Sequence, residues 1–427
     1  MLNIFLIFLG KAIIYLNNLL NLGSGSTWPG HIALSINNNF IKDILKRSNI
    51  KVIIVAGTNG KTTTARLITS IIRENDKIYL QNKAGANLIN GLASTLIRGS
   101  NTNGALQKDY LIFEADENAL SKIIEQTNPD YVVCLNLFRD QLDRYGEVDS
   151  IARRWQKAFS KLNDKTTLIL NADDPQIAFL NNNSKAKSVF YGLEEKNNQT
   201  TLKHGADTSH CPKCSHELIF SSISFSHIGV WSCPNCKLER PKPNISKLSS
   251  YPLEGTYNEY NCLAAALFGK EEKIKDVKIE NAFKSFTPAF GRQEKLAYKN
   301  KNVQLFLSKN PTSFNESLTT VKDLNGKNIL IILNDRIPDG LDISWIWDIR
   351  FEEILNKEMN IAVSGDRVFD MGLRLKYAQS FCHIFQNPKE ALEAMVNELE
   401  DDETLFILPN YSAMLDIRKI ITGRKIL

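Results

Sequence analysis

Val52-Ile53-Ile54-Val55-Ala56-Gly57-Thr58-Asn59-Gly60-Lys61-Thr62-Thr63-Thr64 is the stretch that decides the fold. Four β-branched residues in a row suit a strand buried on both faces, as in a parallel sheet. Gly57 and Gly60 then let the backbone turn tightly, so that its N–H groups converge on an anion. Lys61 adds a point charge for β- and γ-phosphates, and the neighbouring hydroxyl of Thr62 reaches toward Mg²⁺. Leu67, Ile68, Ile71 and Ile72 follow at helical spacing, which puts a bound phosphate at a helix N-terminus. The competing reading is a Gly-rich turn that merely joins strand to helix. Strand, loop, Gly-Lys-Thr and helix in that order favour the phosphate loop. The strict pattern also asks for glycine five residues before Gly60, where Val55 stands.

The chain has 427 residues, enough for two or three domains, and its hydrophobic content of 43% supplies ordinary cores. A net charge of +5 without a long basic run gives no case for nucleic acid. Seven cysteines, four of them in two Cys-x-x-Cys pairs, are not a secreted disulfide framework. With a nucleotide site, they predict a reducing, cytoplasmic setting. At the N-terminus the apolar run from Ile4 to Leu9 is broken by Gly10-Lys11, too short for a membrane span. Leu6, Leu9, Ile13, Leu16, Leu19 and Leu20 fall on one helical face. Residues 1–48 therefore read as a helical segment whose first helix packs on the protein, with peripheral contact at the inner face of a membrane as the alternative.

Residues 49–290 read as a central α/β nucleotide-binding domain. Asn82-Lys83-Ala84-Gly85-Ala86-Asn87 is a polar loop before a helix from Leu88 to Ile97. The strand Tyr110–Phe113 runs into Glu114-Ala115-Asp116-Glu117, and carboxylates at the C-terminal end of a parallel strand face the ligand crevice. Glu114 is the Mg²⁺ candidate, with Thr62; Asp116 and Glu117 also suit a helix N-terminus on charge alone. Further strands are expected at Tyr131–Asn136 and Leu168–Leu170, and Cys134 is expected in the core.

Within this domain, at about 203–243, Cys211-Pro-Lys-Cys214 is followed after eighteen residues by Cys233-Pro-Asn-Cys236. Two such knuckles turn four thiolates toward one tetrahedral Zn²⁺, and the closed ligand set makes that zinc structural. Ile219 to Trp231 reads as the hairpin between them. His204, His210, His216 and His227 are not needed as ligands. Asn258 and Asn261 lie three apart on an alanine-rich helix, where two amides can read a nucleotide base. Gly291-Arg292 follows, and Arg292 is a phosphate-clamp candidate. Residues 291–427 alternate β and α patterns again, as a second, Rossmann-like domain. Strands are expected near Asn328–Leu333, Asn360–Val363, Phe381–Phe385 and Leu405–Leu408. A helix is expected near Trp345–Leu355, and Cys382 is expected in the core.

The loop Gly57 to Thr63 resembles the phosphate loop of the Mur ligases and folylpolyglutamate synthases, which activate a carboxylate with ATP and form an amide. Glu114, Asn171 to Pro175, Asn258/Asn261 and Gly291-Arg292 follow in the order of a Mur ligase central domain. Gln141 stands where the general pattern has a metal-binding histidine, which leaves the second metal position open. Tyr257 replaces a second histidine, and the carbamoylated lysine of some Mur ligases has no secure counterpart. These departures resemble one branch, the MurT-type subunits of lipid II isoglutaminyl synthase. So do the Cys₄ insert and the runs Asn136 to Gly146, Lys309-Asn310-Pro311 and Asp339 to Asp348.

The resemblance implies an α/β Mur-ligase-like central domain with an inserted Cys₄ zinc ribbon and a C-terminal Rossmann-like domain. It implies that Gly57, Thr58, Asn59, Gly60, Lys61, Thr62 and Thr63 hold ATP phosphates, with Lys61 and Glu114 catalytic and Thr62 and Glu114 on Mg²⁺. Asn258 and Asn261 would lie near the adenine, and Arg292 and Lys309 would close over the γ-phosphate. It implies a glutaminase partner of the GatD type in a heterodimer, lipid II as substrate, and amidation of the α-carboxyl of its D-glutamate. Asp348 would then complete a catalytic triad in the partner, although from sequence alone it reads equally as a solvated or salt-bridged aspartate. Two other readings stay open: a partner-free ligase that adds an amino acid, and a nucleic-acid-binding ATPase that uses the zinc ribbon.

Overall fold

The computed structural model describes residues 1–19, 27–82, 85–139, 148–194, 200 and 207–423. Leu20, Lys83, Ala84, Gln141 and His204 lie outside them. Strands β1 (Lys51–Ala56), β2 (Tyr79–Gln81), β3 (Tyr110–Ala115), β4 (Tyr131–Cys134), β5 (Thr167–Asn171) and β6 (Lys187–Tyr191) form one parallel sheet in the order β2-β3-β1-β4-β5-β6. Ile53 and Val55 of β1 pack on one face, against helices Lys61–Glu74 and Thr256–Glu271. Val52, Ile54 and Ala56 pack on the other, with helices Ile89–Gly99 and Val148–Phe159. A strand buried on both faces needs an unbroken apolar run, which β1 has.

Because β1 lies between β3 and β4, Ala56 is in register with both Ala115 and Cys134. The loops that leave these three strands therefore open at one edge of the sheet, where the strand order reverses.

Between β6 and the helix Thr256–Glu271 the chain forms the antiparallel hairpin β7 (Ile219–Phe225) and β8 (Ile228–Ser232), which carries its own small core of Leu218, Phe220, Ile223 and Trp231. Trp231 Nε1 donates to Ala172 O at 3.0 Å and Gly229 N to Asp173 O at 3.0 Å, fixing the hairpin to the central sheet.

The second sheet comprises β9 (Arg292–Tyr298), β10 (Lys301–Phe306), β11 (Asn328–Ile332), β12 (Asn360–Ser364), β13 (His383–Ile384) and β14 (Thr404–Pro409), in the order β13-β12-β11-β14-β10-β9. Only the β9–β10 pair is antiparallel. The outer strand β9, largely polar and charged, lacks the apolar run of a central strand, and sequence periodicity passed over both β9 and β10.

Three details depart from expectation. Trp345–Leu355 is not one helix: a 3₁₀ turn, Ser344–Asp348, breaks at Ile349 (ψ 132°) before a single helical turn, Phe351–Ile354. Cys382 is only half-buried, because β13 is a two-residue edge strand that leaves Phe381 and Ile384 exposed. The first helix, Leu2–Leu19, buries Asn3, Leu6, Ile7 and Gly10, whereas Leu16 and Leu19 face outward. Among the described residues no helix is long and apolar enough to cross a membrane.

Candidate functional site

Gly57 (φ +142°) and Gly60 (φ +89°) hold the loop after β1 in a backbone region that side chains disfavour. Gly60 caps the helix Lys61–Glu74, and a Cβ there would lie 2.2 Å from Asn261 Oδ1. The loop is also tied to the segment after β4. Thr58 N donates to Asn136 O at 2.9 Å, Asn59 N to Asn136 Oδ1 at 2.9 Å and Phe138 N to Thr58 Oγ1 at 3.0 Å.

Lys61 Nζ lies over its own loop, donating to Gly57 O and Thr58 O, and pairs with Glu117 Oε1 at 3.1 Å. Burial acts to raise the pKa of Glu117, yet Lys61 and Lys309 beside it hold the carboxyl below its ordinary value. Sequence reasoning left Glu117 with a helix-dipole role and missed this pairing, which closes across a separation of 56 residues.

Thr62 Oγ1 donates to Glu114 Oε2 at 2.6 Å, and Gln81 Nε2 to Glu114 Oε1 at 3.2 Å. A hydroxyl and a carboxylate side by side at the start of a phosphate-binding helix are the oxygen donors Mg²⁺ takes when it keeps several waters. The residues present therefore fit a nucleotide with its metal ion.

Asn258 and Asn261 are buried and bonded to each other, Asn261 Nδ2 to Asn258 Oδ1 at 3.1 Å. Asn261 also accepts from Thr64 Oγ1 at 3.2 Å and lies under Gly60, so this pair shores up the loop as well as lining the cavity.

That cavity, about 480 Å³, lies between the two sheets. Thr58 to Thr63, Glu114, Glu117, Asn258 and Asn261 line it from one side, Arg292 and Lys309 from the other. Asn59 and Asn310 join the sides through reciprocal amide bonds of 3.4 and 3.1 Å, and Asn310 also caps the helix Pro311–Asp323. Glu316 on that helix lines the cavity; burial pushes its carboxyl up to about 7, against the opposing pull of Arg350.

Cys211, Cys214, Cys233 and Cys236 come together, all four sulfurs within 4.8 Å of one another. The Cys211–Cys236 and Cys214–Cys233 sulfurs are 3.6 and 3.5 Å apart. A tetrahedron with Zn–S bonds of about 2.3 Å has edges of about 3.8 Å, so the set fits a zinc ion. The other three cysteines, Cys134, Cys262 and Cys382, have their thiols pushed up by burial. Among the described residues none is poised as a nucleophile.

Asp348 stands apart from the cavity at the end of the 3₁₀ turn, with its side chain 44% exposed. The turn is held by Arg374, which is buried. Arg374 donates to Ile346 O and Ile349 O, forms a two-pronged pair with Glu352 at 2.7 and 2.9 Å, and stacks on Trp347 and Phe351. Phe369, Leu373 and Tyr377, one stripe of the helix Val368–Tyr377, are exposed, and Tyr377 at its end meets the Trp347 ring edge-on at 5.4 Å.

Comparison with known proteins matches residues 55–269, half of the chain, to the Mur ligase middle domain, and residues 307–414 to the MurT ligase C-terminal domain. The chain is 29% identical over 407 residues to the MurT subunit of lipid II isoglutaminyl synthase (glutamine-hydrolyzing) of Staphylococcus aureus, covering 91% of each. Among solved structures it resembles a pseudomurein peptide ligase type C from Methanothermus fervidus, with TM-score 0.68, 23% identity and coverage of 90% of this chain and 81% of that one. It also resembles the MurF ligase of Thermotoga maritima in complex with ADP, with TM-score 0.64, 13% identity and coverage of 91% and 82%.

Proposed function

The chain belongs to the Mur ligase family, with a C-terminal domain of the MurT type, and from that premise we propose that it is the ATP-dependent ligase subunit of a glutamine-hydrolysing amidotransferase acting on lipid II. The observation that carries the reading is the separation of two sites. A cavity lined by Lys61, Arg292 and Lys309 lies between the sheets, and Asp348 lies outside it on an apolar surface. An outward-facing carboxylate among apolar side chains, apart from the cavity, is what a docking partner would use.

The α-carboxylate of D-glutamate in the stem peptide would attack the γ-phosphorus of ATP, releasing ADP and leaving an acyl phosphate. Lys61, Arg292 and Lys309 offset the charge of the transferring group, which is the main work of the protein in phosphoryl transfer. Thr62 and Glu114 would hold Mg²⁺, which supplies further charge neutralisation. Ammonia then attacks the acyl carbon, and phosphate leaves as the amide forms. Free ammonia is mostly protonated at neutral pH, so a source beside the acyl phosphate is needed.

Glutaminases of this kind use a cysteine nucleophile with histidine, and this chain's thiols are spoken for by the ribbon or raised by burial. A glutaminase subunit would dock on the Trp347, Phe369 and Tyr377 surface, where Asp348 orients its histidine. A zinc ion in the ribbon would be structural, and Asn258 and Asn261 would lie toward the base of the nucleotide. The enzyme would work at the cytoplasmic face, in peripheral contact with the membrane that holds its substrate.

The test is amidation of purified lipid II, read by mass, with ATP and ammonium for this chain alone, then with a glutaminase subunit and glutamine. ATP-dependent conversion of acid to amide is expected by both routes, and the glutamine route collapses in Asp348→Asn. Addition of an amino acid in place of the amide would instead establish the partner-free ligase.

A further inference from the structure

Arg139 leaves the segment after β4 and reaches three parts of the molecule. Its own peptide chain is bonded to the phosphate loop through Asn136 and Phe138, as described above. Its N–H donates to Asp207 Oδ2 at 3.1 Å and its Nε pairs with Asp207 Oδ1. Asp207 is almost fully buried, so this end of the guanidinium is fixed. It stands just before the bridge between His210 and Glu217 that opens the Cys₄ ribbon. The other end, Nη2, lies 3.6 Å from Asp348 Oδ2 on the C-terminal domain.

Phe138, the preceding residue, packs against His227 and Phe225 at the tip of the ribbon hairpin, with ring centroids 4.8 and 6.0 Å away. The segment that is bonded to the loop thus carries, at Arg139, the side chain that joins the ribbon to the outward-facing carboxylate. A guanidinium suits this duty, because its planar fork serves two carboxylates at once with a charge that does not titrate away.

We propose that Arg139 is a positioning residue that ties the Asp348 carboxylate to the nucleotide loop and to the base of the ribbon, so that the ligase half sets the geometry of the acid it offers to a glutaminase. The inference rests on the role proposed above for Asp348. It gives the ribbon a use that zinc chemistry alone does not: it is the buttress behind Arg139. The pair is half-exposed in the free chain, where such contacts are weak. It gains strength when a partner covers the surface and lowers the dielectric around it.

The experiment uses the complex of the full chain with its glutaminase subunit and compares glutamine-driven with ammonium-driven amidation. Arg139→Gln is expected to lower the ratio of the two rates about fivefold, through kcat for glutamine and not its KM, with Arg139→Lys restoring part of it. Asp207→Asn, which loosens the buttress without touching Asp348, should lower the ratio in the same direction. In an Asp348→Asn background Arg139→Gln should add nothing, since it acts through that carboxylate.

If Asp348→Asn collapses the ratio while Arg139→Gln leaves it within twofold, the positioning role is overturned and the triad reading stands. If Asp348→Asn itself leaves the ratio intact, the reading of Asp348 falls and the inference with it. A rise in Arg139→Gln would mark the pair as a restraint on the carboxylate, and would also overturn the proposal.

Discussion

The phosphate loop and the Ser344–Asp348 turn hold their key residues by opposite means. The loop is self-sufficient. Its glycines, its helix, Glu114, Glu117 and Asn261 each bond to another member of the same cluster, and nothing beyond this chain is needed to hold Lys61. The turn is held from behind by Arg374 and presents Trp347 and Asp348 to solvent. A residue that is fixed and enclosed does its chemistry where it stands, whereas one that is fixed and exposed serves something that comes to it.

The contrast breaks first at Lys61. Lys61→Ala should lower both ammonium- and glutamine-driven amidation by about 10³-fold, as loss of a central charge-stabilising group does. Equal rates for variant and parent in an ATP-dependent assay would remove the loop from the chemistry. Arg374→Met should cost about 3 kcal/mol, since Ile346 O and Ile349 O lose a buried donor. Thermal unfolding with and without a glutaminase subunit checks this, and the loss should fall mainly on glutamine use.

Glu316 gives a prediction with a sign. Its folded pKa of about 7 stands above the ordinary 4.5. Its contribution to stability is therefore fully present below pH 4.5 and is lost as pH rises to about 7. Glu316→Gln, which does not titrate, should gain on the parent across that window, by about 3 kcal/mol at the upper end. Chemical denaturation at acidic and neutral pH reads the difference, and a gap that does not change with pH would refute it. The smallest effect is expected at the rim of the exposed stripe. Phe369→Ser should weaken binding of the glutaminase subunit by about 1 kcal/mol in a titration, with ammonium-driven turnover as the control.

What the sequence made legible was whatever short spacing controls. Four β-branched residues, two glycines and Lys61 specify β1 and its loop, because strand period and turn chemistry are local. The paired Cys-x-x-Cys knuckles declare their site for the same reason. Contacts that close across the chain were silent. Nothing near Glu117 announces Lys61, and nothing near Arg374 announces the carbonyls of residues 346 and 349. The misread helix at Trp345–Leu355 shows the limit of periodicity. Trp345, Ile346, Ile349 and Ile354 are spaced as for a helical face, but Arg374 takes up the carbonyls of Ile346 and Ile349 with the chain turned outward between them. In the first helix periodicity found the helix and only part of its packed face: Leu6 is buried, whereas Leu16 and Leu19 face outward, since apolar residues occupy nearly every face.

The ribbon's place in the topology has an evolutionary consequence. It is inserted after β6, the last strand of the central sheet, so gaining or losing it would interrupt no ladder between inner strands. Such a site lets a lineage acquire a module without first solving the folding of its host again. In this chain Phe225 lines the cavity and Asp207 pairs with Arg139, so the insert is part of the frame. A ribbon swapped in from elsewhere could bring its four cysteines and still leave this enzyme short of both contacts.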